Sequence, residues 1–163
     1  MTAASSDPRL QLRHAEPTDH ARVIAVLDQW WGGRQMTAML PRLFFVYFRP
    51  TSFVLEQDGR LAGFLCGFVS QTDPTQAYVH FVGVDPELRG RGAGRLLYDR
   101  FFAAARAQGC TVVRAVTSPL NTTSIAFHRA IGFDVEETGG ESYDGPGEDR
   151  VRFVLRLSGD VAD

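Results

Sequence analysis

The chain has 163 residues, 44% of them hydrophobic and 22% charged, proportions that exclude a disordered chain and match one globular domain spanning residues 1–163. A formal net charge of -2 gives no general attraction to nucleic acid or to an anionic membrane. No apolar run approaches the roughly 20 residues that cross a bilayer, and the opening MTAASSDPRLQLRH lacks a charged-then-apolar leader pattern.

The two cysteines, Cys66 and Cys110, are too far apart for a short metal motif and lie among apolar neighbours. The expectation is buried free thiols in a reducing cytoplasm, with no metal site. All 17 basic residues are arginine, so no internal lysine is available to form a Schiff base.

Residues 10–15 (LQLRHA) alternate and predict a first strand. PTDHARVIAVLDQWWGG predicts a helix capped at Thr18 or Asp19, with Val23, Leu27 and Trp30 on one face and Gly32 as a stop. MTAMLPRLFFVYFRP predicts a shorter helical region broken at Pro41. SFVLEQDGRLAGFLCGFVSQ predicts a hairpin turning at Asp58-Gly59. QAYVHFVGVDP predicts a strand ended by Asp85-Pro86. Residues 91–108 predict a helix with Leu96, Leu97, Phe101, Ala104 and Ala105 on one face, closed by Gly109. CTVVRAVTS predicts a strand, NTTSIAFHRAIGF a short helix from near Asn121 to Gly132, and FDVEET and RVRFVLRLS the last two strands. Residues 1–9 and 158–163 are expected to be flexible termini. No internal repeat or linker is visible, and strands in runs with helices between them predict a mixed α/β sheet.

Arg89-Gly90-Arg91-Gly92-Ala93-Gly94 stands at the entrance of the longest helix, directly after a strand. A helix N-terminus presents unpaired N–H groups and partial positive charge. Glycines let successive amides converge on one oxygen cluster, and arginines add charge-assisted hydrogen bonds. The expected ligand is a phosphate or pyrophosphate; the alternative is a glycine-softened turn with solvated arginines. No Gly-Lys-Ser/Thr ending follows, which excludes a P-loop. Counted from Gly90, the dinucleotide fingerprint Gly-x-Gly-x-x-Gly needs its third glycine at position 95, where Arg95 stands, so that pattern fails as well.

The stretch resembles the Arg/Gln-x-x-Gly-x-Gly/Ala signature of the GNAT superfamily of acyl-CoA N-acyltransferases. FVGVDPELRGRGAGRLL is similar to the strand-turn-helix core of that family, and NTTSIAFHRAIGF to its Asn-to-Gly-Phe helix. The two segments occur in the family's order, and the resemblance covers roughly residues 10–157. It implies an α/β fold with a mixed, mostly antiparallel sheet of about seven strands, flanked by about four helices and splayed between the fourth and fifth strands. It implies that amides around Arg89, Gly90, Arg91, Gly92, Ala93, Gly94 and Arg95 hold the pyrophosphate of acetyl-CoA. The pantetheine arm would add to the free edge of the strand at Val82, Gly83 and Val84. Gly83 is read either as a bulge that opens the gap or as a site of close packing.

For chemistry, the resemblance makes the Val82 N–H the oxyanion donor. His80 shares side-chain parity with Val82 and Val84 in the strand YVHFVGV and matches a histidine used as base in the arylalkylamine N-acetyltransferase branch. Its alternative is a histidine bonded within the sheet. Where the family commonly has a tyrosine acid, this chain has His128, which would be the acid, a binding group or a structural residue. Asn121 and Ser124 open the same helix; Asn121 resembles the family's pantetheine-binding asparagine and would also serve as an N-cap. Arg129 is read as solvated or as reaching the ribose phosphate.

On the acceptor side, Trp30, Trp31, Met36, Met39, Phe44, Phe45 and Tyr47 either line a groove or fill the core. Glu141, Asp144, Glu148 and Asp149, with Tyr143, either attract a cationic amine or decorate a solvated hairpin tip. The implied function is acetyl transfer from acetyl-CoA to a primary amine, of a small molecule rather than a protein. The alternatives are a protein N-terminal or lysine acetyltransferase and a silent acyl-CoA-binding domain. A cytoplasmic location and a homodimer are compatible with the family.

Overall fold

The computed structural model describes residues 9–136 and 150–158. Its strands are β1 (Leu10–His14), β2 (Phe53–Gln57), β3 (Arg60–Val69), β4 (Gln76–Val84), β5 (Val112–Thr117), β6 (Asp134–Glu136) and β7 (Val151–Arg156). Its helices are α1 (Asp19–Trp30), α2 (Leu43–Tyr47), α3 (Ala93–Ala107) and α4 (Thr122–Ala130), with a 3-10 turn at Thr37–Met39 leading into α2. The strands form one seven-stranded sheet in the order β1-β2-β3-β4-β5-β7-β6. Only β4 and β5 run parallel; every other neighbouring pair is antiparallel. The expected fold is therefore present.

The hairpin β2-β3 turns where Asp58-Gly59 requires it, since both residues have positive φ, 51° and 80°. Both of its strands read as apolar runs because both faces of the sheet are covered. Phe53, Leu55, Ala62 and Leu65 pack under α3 beside Leu97, Tyr98 and Phe101. Val54, Phe64 and Cys66 pack on the opposite face against Val23, Leu27 and Trp30 of α1 and Phe44 and Phe45 of α2.

Two details of β4 shape everything that follows, and the first differs from expectation. Its pairing with β3 slips by one residue: Cys66 faces Phe81, but the next residue, Gly67, faces Val79. His80 is thus the extra residue of a β-bulge, and strand parity reverses across it. Ala77 and Val79 point toward α3, as do Val82 and Val84 beyond the bulge, while Phe81 joins the α1/α2 face. His80 therefore does not share a face with Val82 and Val84, and Gly83 is not the bulge, since it pairs in register with Phe64.

The second detail is the parting of β4 from β5. Their parallel ladder covers only Gln76, Ala77 and Tyr78 against Val112, Val113 and Arg114. Beyond it β4 stays paired with β3 as far as Val84, and β5 with β7 as far as Thr117. The sheet opens between them, as the resemblance implied.

α1 is tied to the sheet edge by a buried carboxylate. Asp19, 2% exposed, accepts from both terminal nitrogens of Arg13 at 2.8 and 2.9 Å, from Arg22 at 3.1 Å and from the Glu16 N–H at 2.7 Å. Thr18 stands at the N-cap position without a side-chain capping bond. Burial opposes ionisation of Asp19, but the Arg13 fork and the Glu16 N–H outweigh it and hold the carboxyl below its usual range. The Arg13 hydrogen bond lowers Glu56 in the same network. Groups with lowered folded values stabilise fully above their unfolded values near pH 4 and lose that contribution as pH falls further. Asp19→Asn is expected to cost about 2 kcal/mol at neutral pH and to flatten the acid limb of stability below about pH 4, read by urea unfolding across pH.

Candidate active site

A cavity of about 510 Å³ lies where the end of α1, the end of β4, the start of α3 and the start of α4 meet. Its floor is the glycine-arginine turn. Gly90 and Gly92 both have positive φ, 81° and 82°, and a Cβ at either would meet nothing within 4 Å, so their requirement is backbone conformation rather than space. Because Gly92 is left-handed, it is the N-cap and α3 begins at Ala93, two residues later than the sequence predicts. Gly94 has a different reason: a Cβ there would lie 2.7 Å from the Phe127 ring, so it lets α3 approach α4.

Among the described residues, the charged side chains lining the cavity are Arg34, Arg89 and Arg95. Arg89 does not point at the turn amides. Its Nη2 donates to the Trp30 carbonyl at 2.8 Å and so fastens the C-terminus of α1 to the turn. Arg95 lines the cavity and lies 3.6 Å from Asp99 in an exposed pair. Arg91 is exposed and lies outside the lining. A positive rim, open glycine backbone and the free N–H groups of a 15-residue helix together fit a polyanion such as a diphosphate.

One wall is the free edge of β4, with Val82, Gly83 and Val84. The Asp85 N–H donates to Ala62 of β3, so alternation turns the N–H groups of Val84 and Val82 away from β3 into the opening. Gly83 is closely packed, as its alternative reading had it: an added Cβ would sit 2.7 Å from Phe64 and 2.8 Å from the Trp31 ring. Trp31 thereby covers this stretch of β4 from the α1 side. It also meets Phe81 edge-on, with ring centroids 5.0 Å apart.

His80 is not among the lining residues. The bulge places it against α2, stacked on Phe44 with centroids 4.6 Å apart and planes 3° apart. Its Nε2 is 2.6 Å from the Met39 carbonyl, a pure acceptor, so the proton sits on Nε2 and the lone pair on Nδ1. His20 makes a matching contact, Nε2 to the Leu40 carbonyl at 2.9 Å. Two histidines thus pin the turn that leads into α2.

The opposite wall is α4. Asn121 caps it, its Oδ1 accepting from the Ser124 N–H at 3.1 Å, and both residues line the cavity. His128 is 4% exposed and stacks on Phe153 at 4.2 Å. Its Nδ1 lies 2.7 Å from the Ser124 carbonyl, and its Nε2 lies 2.6 Å from the Tyr98 hydroxyl. A carbonyl can only accept, so Nδ1 carries the hydrogen and Nε2 accepts from Tyr98. Burial pushes the imidazole down to about 4 despite the Ser124 carbonyl, leaving it neutral near pH 7. Both ring nitrogens are engaged and the charged form is disfavoured, so His128 is unsuited to act as the acid. Tyr98 is fully buried, and burial raises its phenol. Its partnership with His128 spans 30 residues and has no signature in either helix alone.

Trp30, Phe44 and Phe45 are core residues, Met36 packs on that core, and Met39 and Tyr47 are exposed. Trp30, Trp31 and Arg34 also line the cavity. Glu141, Tyr143, Asp144, Glu148 and Asp149 lie outside the described residues. Arg129 is exposed. Among the described residues no group of His, Cys, Asp or Glu side chains is placed to hold a metal, and no helix is long and apolar enough to cross a membrane.

Residues 12–133 match the model of the acetyltransferase (GNAT) family. The chain belongs to this family. An L-2,4-diaminobutyric acid acetyltransferase of Nocardia farcinica is 36% identical over 84 residues, covering 52% of this chain and 44% of the relative. The chain spans less than half the length of the first curated relatives it matches. Ard1 of Thermoplasma volcanium has the same fold, with a TM-score of 0.75, 21% identity and coverage of 93% of this chain and 99% of that one. So does the diaminobutyrate acetyltransferase EctA of Paenibacillus lautus, solved with L-2,4-diaminobutyric acid and coenzyme A, at a TM-score of 0.70 and 22% identity, covering 90% and 94%.

The placement of His128 generates a spectroscopic prediction. Its ring resonances are expected to stay at the neutral-imidazole position between pH 8 and about pH 5 in an NMR titration. Since the unfolded ring takes up a proton near pH 6.5 and the folded one does not, this residue lowers stability as pH falls from about 6.5 toward 4.

Proposed function

We propose that this protein transfers an acetyl group from acetyl-CoA to a primary amine of a small molecule, directly and within a ternary complex. The observation that carries this reading is the meeting of two features in one cavity: the positive glycine turn at the start of α3 and the unpaired edge of β4 beside it. A diphosphate suits the first, and an extended chain with its own amides suits the second. The likeness to relatives named for acetyl transfer to diaminobutyric acid supports an amine acceptor.

Bound acetyl-CoA would supply a thioester carbonyl as the electrophile. The main-chain N–H groups of residues 93–95 would hold its diphosphate, with Arg95 at the rim. Asn121 would keep its side-chain amide hydrogens for the pantetheine arm, because its Oδ1 is committed to the cap. The Val82 N–H, unpaired by β3, would receive the charge that develops on the carbonyl oxygen. His80 would take the amine proton at Nδ1 from the α1/α2 side of the opening, its tautomer set by the Met39 carbonyl. Direct transfer is favoured because neither Cys66 nor Cys110 lines the cavity, and burial raises both thiols away from the nucleophilic form.

An amine panel with acetyl-CoA, followed by thiol release, is expected to find turnover with small primary amines; activity confined to peptides would overturn the acceptor class. Gly92→Asp forces a side chain onto a left-handed residue and sets a negative charge at the turn. It is expected to weaken coenzyme A binding at least about tenfold by calorimetry. His80→Ala should lower kcat/KM by about 100-fold while coenzyme A affinity stays unchanged.

A further inference from the structure

The α4 wall contains a serine hydroxyl whose hydrogen no described neighbour accepts, and the ring of His128 fixes that arrangement. Ser124 Oγ lies 3.2 Å from His128 Nδ1, but that nitrogen already carries a hydrogen directed at the Ser124 carbonyl 2.7 Å away. The reverse tautomer would set an Nδ1 lone pair against a carbonyl oxygen at hydrogen-bond distance, which is repulsive, and would leave the Tyr98 hydroxyl without its acceptor at 2.6 Å. Ser124 Oγ therefore meets a donor at His128 and is left with its own hydrogen to give. No other described group accepts it, and Ser124 lines the cavity.

Resting on the acetyltransferase reading above, we propose that Ser124, rather than His128, faces the reacting sulfur of coenzyme A, its Oγ–H stabilising the departing thiolate, and that His128 is the positioning residue that turns this hydrogen into the cavity. As the amine nitrogen bonds to the acyl carbon, the carbon–sulfur bond breaks and its electron pair goes to sulfur. Ser124 donates a hydrogen bond to that sulfur and keeps its proton. The amine proton leaves through the base, and sulfur takes up a proton from solvent. A full acid is not needed, since a thiol with a pKa near 8.5 is already a fair leaving group. His128 suits the positioning role because it does not change charge near neutrality: burial holds it neutral, with Phe153 on one ring face and Phe127, Phe133 and Tyr98 at its edges. Among the described residues, the charged side chains lining the same cavity, Arg34, Arg89 and Arg95, are all cationic, and a change at Ser124 leaves them in place.

The test compares coenzyme A with desulfo-coenzyme A by calorimetry at pH 7 and pH 9, in wild type, Ser124→Ala and Ser124→Thr. Wild type is expected to favour coenzyme A over the desulfo analogue more strongly at pH 9, where the thiolate forms. Ser124→Ala should lose about tenfold of that preference at pH 9, bind the desulfo analogue unchanged, and show lower kcat at unchanged KM for acetyl-CoA. Ser124→Thr, which keeps the hydroxyl, should retain the preference. An unchanged preference in Ser124→Ala overturns the proposal; so does an equal loss for both ligands, which would make Ser124 only a wall of the channel. For the positioning role, His128→Asn places an amide nitrogen where Nδ1 stands and should keep the pH 9 preference, while His128→Phe should lose it; equal behaviour of the two overturns that part. Failure of wild type to bind either ligand would instead bring down the acetyltransferase reading itself.

Discussion

The site depends on a pairing that stops. β4 and β5 share a ladder for three residues and then part, and from Val79 onward β4 has a partner on one edge only. Buried main-chain N–H and C=O groups are costly to leave unpaired, so an open edge inside a sheet persists where a ligand or water can satisfy it. Each strand is held by its outer neighbour, β4 by β3 and β5 by β7, so the opening is built into the register of the sheet rather than into a loop. The start of α3 lies at one end of the opening and the start of α4 along its side, and both helix N-termini face the same space. A polyanionic head and an amide-bearing arm can be held by one continuous surface because strand edge and helix ends converge there.

The bulge at His80 gives the opening two chemically distinct sides. Without it, His80, Val82 and Val84 would share one face, and a titratable ring would stand among the residues under α3. With it, Val82 stays on the α3 side while His80 goes to α2, where Phe44 stacks on it and Met39 fixes its tautomer. In the proposed mechanism, the base and the oxyanion donor would therefore stand on opposite faces of one strand. Trp31 closes the stretch between them by lying on Gly83, which has no side chain to hold it off.

Much of this was legible in the sequence. The Asp58-Gly59 hairpin, the glycine turn, the Asn121 cap and the Gly109 and Gly132 stops are local rules, and local rules are written in adjacent residues. The bulge was not legible. A one-residue slip in register leaves no composition behind, and Gly83 was the more conventional candidate because glycine is often found at bulges. The three arginines at the turn were read as equivalent, yet Arg89 is turned to the Trp30 carbonyl 59 positions back in the chain, a contact set by how α1 packs. For the same reason the Tyr98–His128 pair joins two helices whose individual patterns say nothing of each other.

That pair also explains how the chain accommodates a histidine where a phenolic acid is common in the family. A protonated imidazole in this wall would sit among Phe127, Phe133 and Phe153 with no carboxylate in contact among the described residues, and burying an unpaired charge costs far more than one hydrogen bond returns. The fold resolves the conflict by keeping the ring neutral and satisfying both nitrogens, one from Tyr98 and one toward the Ser124 carbonyl. Such a group is a poor proton donor and a good anchor: it is rigid, dry and indifferent to pH near neutrality. The polar groups that this wall does present to the cavity include the Ser124 hydroxyl and the Asn121 amide, both at the start of α4, which His128 holds in place from one turn below.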